Sequence, residues 1–365
     1  VIDWRGIRKA DPTPPKLPTI ALEPISLPRK AGRIHETLLK LEKELDWLYQ
    51  GSNQTHADSR IGALAAAKRW RKEVKRNQKL LRNQPASDQF HVNYEDLLAD
   101  QDVDAVVLAT PHSMHRPQTE AAAAAGKHVF CEKPFTLYKE DAEAASAAAE
   151  AAGIILAIGM NRRVNPAFLD LQQRVADNWF GTVLHVEGHM SAPGIWKYTP
   201  GSWRVDRDEC PAGGMTAMGI HLIDAIVAMF GEVESVYAQS RRVIQSEGLD
   251  EITSAMLKLK SGVSAYLATS VATEWCFSFR IMGENGWVES QNFPMDTMIV
   301  RPRGGEPEEI KFEAFDMEHA ELEAFADAIT GTADYPVPIA DAIHATSVMR
   351  AIIDSSEQEK PIDVA

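Results

Sequence analysis

Between residues 104 and 160 short unbroken apolar runs alternate with alanine-rich stretches edged by polar residues. Ala105 to Ala109 is short, β-branched and ends at Thr110-Pro111, as a strand buried on both faces of a parallel sheet should. Gly126 stops the five-alanine helix that follows, and His128 to Cys131 begins a second strand. Tyr138 to Ala152 predicts a helix with acidic residues toward its first turn, where the helix dipole favours them. Ile154 to Ile158 predicts a third buried strand, with Asn161, Arg162 and Arg163 emerging from its carboxyl end. Right-handed helical crossovers put the carboxyl ends of parallel strands on one edge, where open α/β sheets bind ligands. Glu132, Lys133 and Pro134 lie on that edge.

A helix from Pro166 to about Asp177 leaves the sheet, and beyond Gly181 the period becomes strand-like. Ala255, Leu257 and Leu259 alternate with Met256, Lys258 and Lys260, Ser261-Gly262 makes a turn, and Val263, Ala265 and Leu267 resume the alternation. Val183 to His189, Val233 to Gln239, Phe277 to Met282 and Trp287 to Gln291 predict further strands. A parallel half followed by a largely antiparallel half predicts two domains, 88–165 (with part of the C-terminal helices) and 166–365.

Residues 1–87 follow neither pattern. Six prolines between Pro12 and Pro28 predict an extended arm. Ile34, Leu38, Leu41, Leu45 and Leu48 form one helical stripe, which reads more simply as packing on its own domain than as a self-associating seam. A helix over about Ser59 to Leu81 carries Lys68, Arg69, Arg71, Lys72, Lys75, Arg76 and Lys79. Residues 1–87 hold 18 Lys plus Arg against 9 Asp plus Glu, and the remainder 20 against 43, so a basic segment precedes an acidic body. Base-reading and aromatic residues are sparse in the basic helix. A solvated helix against the acidic body is favoured over a nucleic-acid contact.

With 365 residues and 45% hydrophobic content the chain can bury a sizeable core. Cys131, Cys210 and Cys276 form no CxxC pair and are odd in number, which predicts no metal site or disulfide framework and a reducing, cytoplasmic setting. No apolar run reaches the roughly 20 residues of a membrane span, so no membrane partner is expected.

The candidate chemistry spans both halves. A Lys at the sheet edge, Lys133, can hydrogen-bond a hydroxyl or carbonyl and stabilise a developing alkoxide; the alternative is a surface Lys paired with Glu132. His221 and Asp224, three residues apart in GGMTAMGIHLID, share a helical face on which the carboxylate could orient the imidazole. Gly213, Gly214 and Gly219 allow close backbone approach ahead of that helix. Trp203 and Arg204 are candidate substrate-wall residues.

The runs ATPHSMH, CEKPF, GMNRRVNP and GGMTAMGIHLID, in this order and spacing, resemble the glucose-fructose oxidoreductase, inositol dehydrogenase and MocA family over about residues 88–365. The resemblance implies an α/β chain with a Rossmann-like parallel sheet, its first βαβ unit atypical or missing, followed by an α+β domain with a largely antiparallel open sheet. It implies a dehydrogenase using NAD or NADP on a small hydroxylated substrate, assembled as a homodimer or homotetramer. By position it makes Lys133 and His221 catalytic, with Asp224 or a water standing in for an absent acid. Thr110, Pro111, His112, His115, Glu132, Lys133, Asn161 and Arg162 would bind cofactor, and Trp203, Arg204 and His221 substrate. Two features depart from the family. The position four residues before His221 is Ala217 where the family has an acid, and no GxGxxG occurs anywhere in the chain. A non-redox ligand-binding or proton-transfer descendant therefore stays open, as does an interaction protein using the basic helices.

Overall fold

The computed structural model describes residues 93–198, 202–245 and 248–364. The proline-rich arm, the leucine stripe and the basic helix expected in residues 1–87 lie outside the described residues. Helix α1 (Tyr94–Ala99) comes first. Residues 101–365 belong to one compact unit, described next.

Its first part is a parallel sheet of β1 (Ala105–Leu108), β2 (His128–Glu132) and β3 (Leu156–Gly159), in that spatial order. Val106 pairs with Val129, and Phe130 with Ala157. Every residue of β1 and β3 is buried, which is why both read as unbroken apolar runs. Helix α2 (His115–Ala124) and helix α3 (Lys139–Ala152) make the crossovers. Gly126, at φ 69°, stands just past α2, and Gly153, at φ 65°, ends α3 in the left-handed conformation. The third strand starts at Leu156, two residues later than its apolar run suggested.

Helix α4 (Pro166–Ala176) is capped by Asn165, whose side-chain oxygen accepts from Ala167 N–H at 2.9 Å, with Pro166 in the first turn. The chain then builds a nine-stranded sheet. Its strands are β4 (Val183–Ser191), β5 (Val233–Arg241), β6 (Ile252–Leu259), β7 (Ser264–Ser270), β8 (Cys276–Gly283), β9 (Gly286–Gln291), β10 (Thr297–Pro302), β11 (Glu308–Lys311) and β12 (Ile362–Asp363). They lie in the order β11-β10-β9-β8-β4-β7-β6-β5-β12. All neighbours are antiparallel except β4 and β7.

Three helices hold the two sheets in one body. Helix α5 (Ile220–Phe230) buries its first eight residues, helix α6 (Met317–Thr330) lays Phe325 against Phe130 of β2 at 5.7 Å, and helix α7 (Ile339–Gln358) packs on β5, α3 and α5. The opposite face of the large sheet stays open. Tyr237, Met256 and Tyr266 stand directly opposite one another across β5, β6 and β7, and all three are exposed.

Candidate active site

Lys133 follows β2 at the carboxyl edge of the parallel sheet, and its peptide bond to Pro134 is cis. Its Nζ donates to Ala217 O at 2.8 Å. Ala217 sits in a π-helical turn, Met215–Gly219, that leads directly into α5. Turns of this kind often mark functional sites, because widening the ladder redirects a carbonyl. Gly213 makes the entry possible: at φ 52° any Cβ would come 2.0 Å from Asp250 O. One contact thus ties the loop after β2 to the turn before His221, and so joins the two sheets' chemistry.

Electrostatics around that contact are lopsided. Burial lowers the Lys133 ammonium from its ordinary value; Glu132 opposes the shift, and Arg162 and Arg204 add to it. His221 is buried, and burial, then Lys133 and Arg162, hold its imidazole well below the ordinary 6.5. It is neutral at physiological pH. Its Nδ1 is buried without a hydrogen-bond partner. Arg162 is only 4% exposed, with its guanidinium 4.5 Å from the Phe277 ring centroid and 5.5 Å from that of Phe293.

Other sequence candidates are placed differently. Asp224 does not serve His221. Its carboxylate takes two 2.8 Å hydrogen bonds from Arg163, which also reaches Asp341 at 2.9 Å, so the helical spacing put histidine and carboxylate on neighbouring positions while the carboxylate turned to a stronger partner. His115 is fully buried and does not line a cleft. Its ring nitrogens lie 3.0 Å from Pro134 O and 3.1 Å from Thr110 O, pinning the loop after β1 to the loop after β2. Glu132 turns back to accept from Lys133 N–H at 3.3 Å.

Thr110 donates to Gln118 at 2.6 Å, and Asn161 to Glu318 at 3.0 Å. His112, buried beside Pro111, donates from Nδ1 to Glu209 O at 2.6 Å and meets Trp203 edge-on at 5.0 Å. Arg204 stacks on Trp203 at 4.3 Å.

Two residues were missed. Glu209 accepts from the Ser113 backbone N–H at 3.0 Å and from the Ser113 hydroxyl, strapping the loop before the π-helical turn over the end of β1. Glu321 lies on the face of α6 that meets β2, and burial, then Glu132 and Glu318, push its carboxyl up to about 9. Both sit among other acids, Asp206 and Asp208 beside the first and Glu318 and Glu323 beside the second, so nothing local singles them out. A separate groove of about 680 Å³, lined by Ser146, Glu150, Ile154 and Asp334 among others, holds none of the candidate residues.

The family model described as oxidoreductase family, NAD-binding Rossmann fold, matches residues 52–160, and the GFO/IDH/MocA C-terminal domain matches 168–289. The chain belongs to the GFO/IDH/MocA family. The match begins at residue 52, earlier than the 88 at which the motifs begin, so part of the basic segment falls inside it. Among GFO/IDH/MocA relatives, the chain is 28% identical over 247 residues to 1,5-anhydro-D-fructose reductase of Ensifer adhaerens, covering 65% of this chain and 72% of that one. It is 29% identical over 282 residues to D-xylose 1-dehydrogenase (NADP(+)) 2 of Haloferax volcanii, covering 74% and 84%. Among solved structures, aldose-aldose oxidoreductase from Caulobacter crescentus, complexed with glycerol, superimposes with a TM-score of 0.67 at 27% identity over 74% of this chain and 82% of that one. Levoglucosan dehydrogenase in complex with NADH and L-sorbose has the same fold, with a TM-score of 0.68 at 21% identity over 75% and 83%.

Family membership makes the chain an oxidoreductase of the NAD(P)-binding type. The described residues fit the reactive end of a nicotinamide cofactor: a lysine at the sheet edge, a neutral histidine with an unpartnered nitrogen, and the ends of β1 and β3 beside them. The glycine fingerprint for the pyrophosphate is absent from the sequence. No helix among the described residues is long and apolar enough to cross a membrane.

Proposed function

We propose that this chain moves hydride between NAD or NADP and a hydroxyl-bearing or carbonyl carbon of a sugar, polyol or related ring, at the cleft where Lys133 meets the π-helical turn. The observation that carries the reading is the 2.8 Å contact from Lys133 Nζ to Ala217 O, which holds the lysine one turn ahead of His221. The nicotinamide, when bound, supplies the hydride acceptor or donor. The protein's residues manage the proton and the oxygen. Burial and the neighbouring guanidiniums make Lys133 readier to exist as an amine, so it can take the hydroxyl proton during oxidation and return it during reduction. His221, neutral, holds the same hydroxyl through Nδ1. Ala217 contributes its carbonyl alone, so no side-chain acid shares the proton there.

Thr110, Pro111 and His112 at the end of β1, with Asn161 and Arg162 after β3, wall the cofactor side. Trp203 and Arg204 wall the substrate side. The halves 88–165 and 166–365 divide those tasks. The relatives named above act on sugars, which supports the substrate class. The exposed Tyr237, Met256 and Tyr266 row suits a homodimer or homotetramer formed through the open sheet face. Three free cysteines, Cys131, Cys210 and Cys276, accord with a cytoplasmic setting.

The test is calorimetric titration with NADH and NADPH, followed by a turnover screen over aldoses, anhydrosugars and inositols. Heat with either cofactor and reduced cofactor with one of these substrates is expected. No heat and no rise in melting temperature at saturating cofactor would leave the non-redox reading in place.

A further inference from the structure

Two adjacent arginines leave the end of β3, and the fold treats them in opposite ways. Arg163 is saturated by Asp224 and Asp341, three contacts of 2.8 to 2.9 Å. Arg162 is as deeply buried, yet among the described residues no carboxylate comes within ion-pair distance of it. Its Nε has no partner, and its other contacts are long: Phe293 O at 3.5 Å and Met190 Sδ at 4.0 Å. With Phe277 and Phe293 against the guanidinium, what it has left to offer is the in-plane N–H fork that pairs with planar anions.

The surroundings do not supply that anion. Burial brings Arg162 down to about 10, and Glu318, beyond ion-pair reach, opposes the shift. Glu318 already accepts from Asn161 at 3.0 Å. Asp224 is taken by Arg163, Glu209 by Ser113, and Glu321 keeps its proton. Glu132 offsets Lys133 rather than Arg162, Arg204 adds positive charge to the same neighbourhood, and Ala217 adds none. A guanidinium buried without a counter-charge is strongly unfavourable and is sustained where a ligand completes it.

We propose that the substrate carries a carboxylate that pairs with Arg162, so that the site takes a sugar acid, uronic or aldonic, in preference to the neutral sugar. The proposal rests on the oxidoreductase reading for turnover, though not for binding. A carboxylate is favoured over a phosphate because it is planar and carries a single charge, which suits a fork held against two rings.

The test uses the full chain, with and without NADH. Calorimetry and thermal shift compare D-glucuronate, D-galacturonate and D-gluconate with D-glucose and D-galactose, and with D-glucose 6-phosphate. At least one acid should bind about thirtyfold or more tightly than its neutral parent, as pairing a buried charge requires. Arg162→Met should abolish the preference. Arg162→Lys, which keeps the charge and guards against a misfolded Met variant, should keep part of it. Equal binding of acids and parents, binding of none of the acids, or binding of the phosphate alone would overturn the proposal. Selective acid binding without cofactor reduction would refute the oxidoreductase reading while leaving this one standing.

Discussion

Replacing Asp224 by Ala separates a structural carboxylate from a catalytic one. Asp224 is 1% exposed and Arg163 6%, and two 2.8 Å hydrogen bonds join them in the fork geometry of an ion pair. Burial pushes the Asp224 carboxyl upward and Arg163 opposes it, while on Arg163 the two aspartates outweigh the effect of burial. Breaking a buried pair by removing one partner costs about 3 to 5 kcal/mol. Asp341 would still hold Arg163 through one bond at 2.9 Å, so the loss should fall nearer to about 2 to 4 kcal/mol. For a unit of this size that is a drop of about 4 to 8 °C in melting temperature. Thermal and urea melts of the variant measure it, and Arg163→Met in the same chain should recover part of it. Turnover below the new transition should stay within a few fold of the parent. A melting temperature within about 2 °C of the parent, joined to a hundredfold loss of turnover, would return Asp224 to the proton path and refute the structural reading.

Lys133→Met should leave the melting temperature nearly unchanged and lower kcat by about a hundredfold or more, read in a cofactor-reduction assay, since stabilising the reacting oxygen is worth about 3 kcal/mol. His112 is held at about 4 against an ordinary 6.5 by burial, so the unfolded chain takes up the extra proton first. Stability should therefore fall as pH drops from 6.5 to 4, by up to about 3 kcal/mol, and His112→Gln should flatten that limb in urea melts. Glu321 behaves oppositely. Its folded carboxyl keeps a proton that the unfolded one gives up near 4.5, so stability falls as pH rises toward 9, and Glu321→Gln should add about 2 to 3 kcal/mol at pH 7 but little near pH 4. Met256→Glu, on the open sheet face, should shift the protein to a smaller species in light scattering without altering its melting profile at low concentration.

The parallel sheet was legible because burial on both faces writes itself into composition: Ala105 to Leu108 and Leu156 to Gly159 cannot hold a polar residue. The hairpin of β6 and β7 was legible for the complementary reason, since one open face forces Met256 and Lys258 to alternate with Leu257 and Leu259. What escaped was the region after β9. There β11 has no buried residue and β12 is two residues long, so neither leaves a periodic trace.

The site shows the same division in sharper form. Local sequence put Lys133 at a strand end and His221 at a helix start, because element ends are marked by proline and glycine in this chain. It could not say where side chains turn. Periodicity fixes which residues share a helical face, but partner choice is settled by charge and distance across the fold. Asp224 had an uncharged histidine one turn away and a guanidinium 61 positions distant in sequence, and a buried carboxylate gains far more from the second. That capture has a cost for the neighbouring position. With Asp224 and Asp341 both committed to Arg163, no acid on α5 or at the start of α7 is left for Arg162, and Ala217 brings none from the π-helical turn. The loss of one acid from a motif is thus coupled to the charge state of the whole cleft. A substrate that brings its own negative charge completes it.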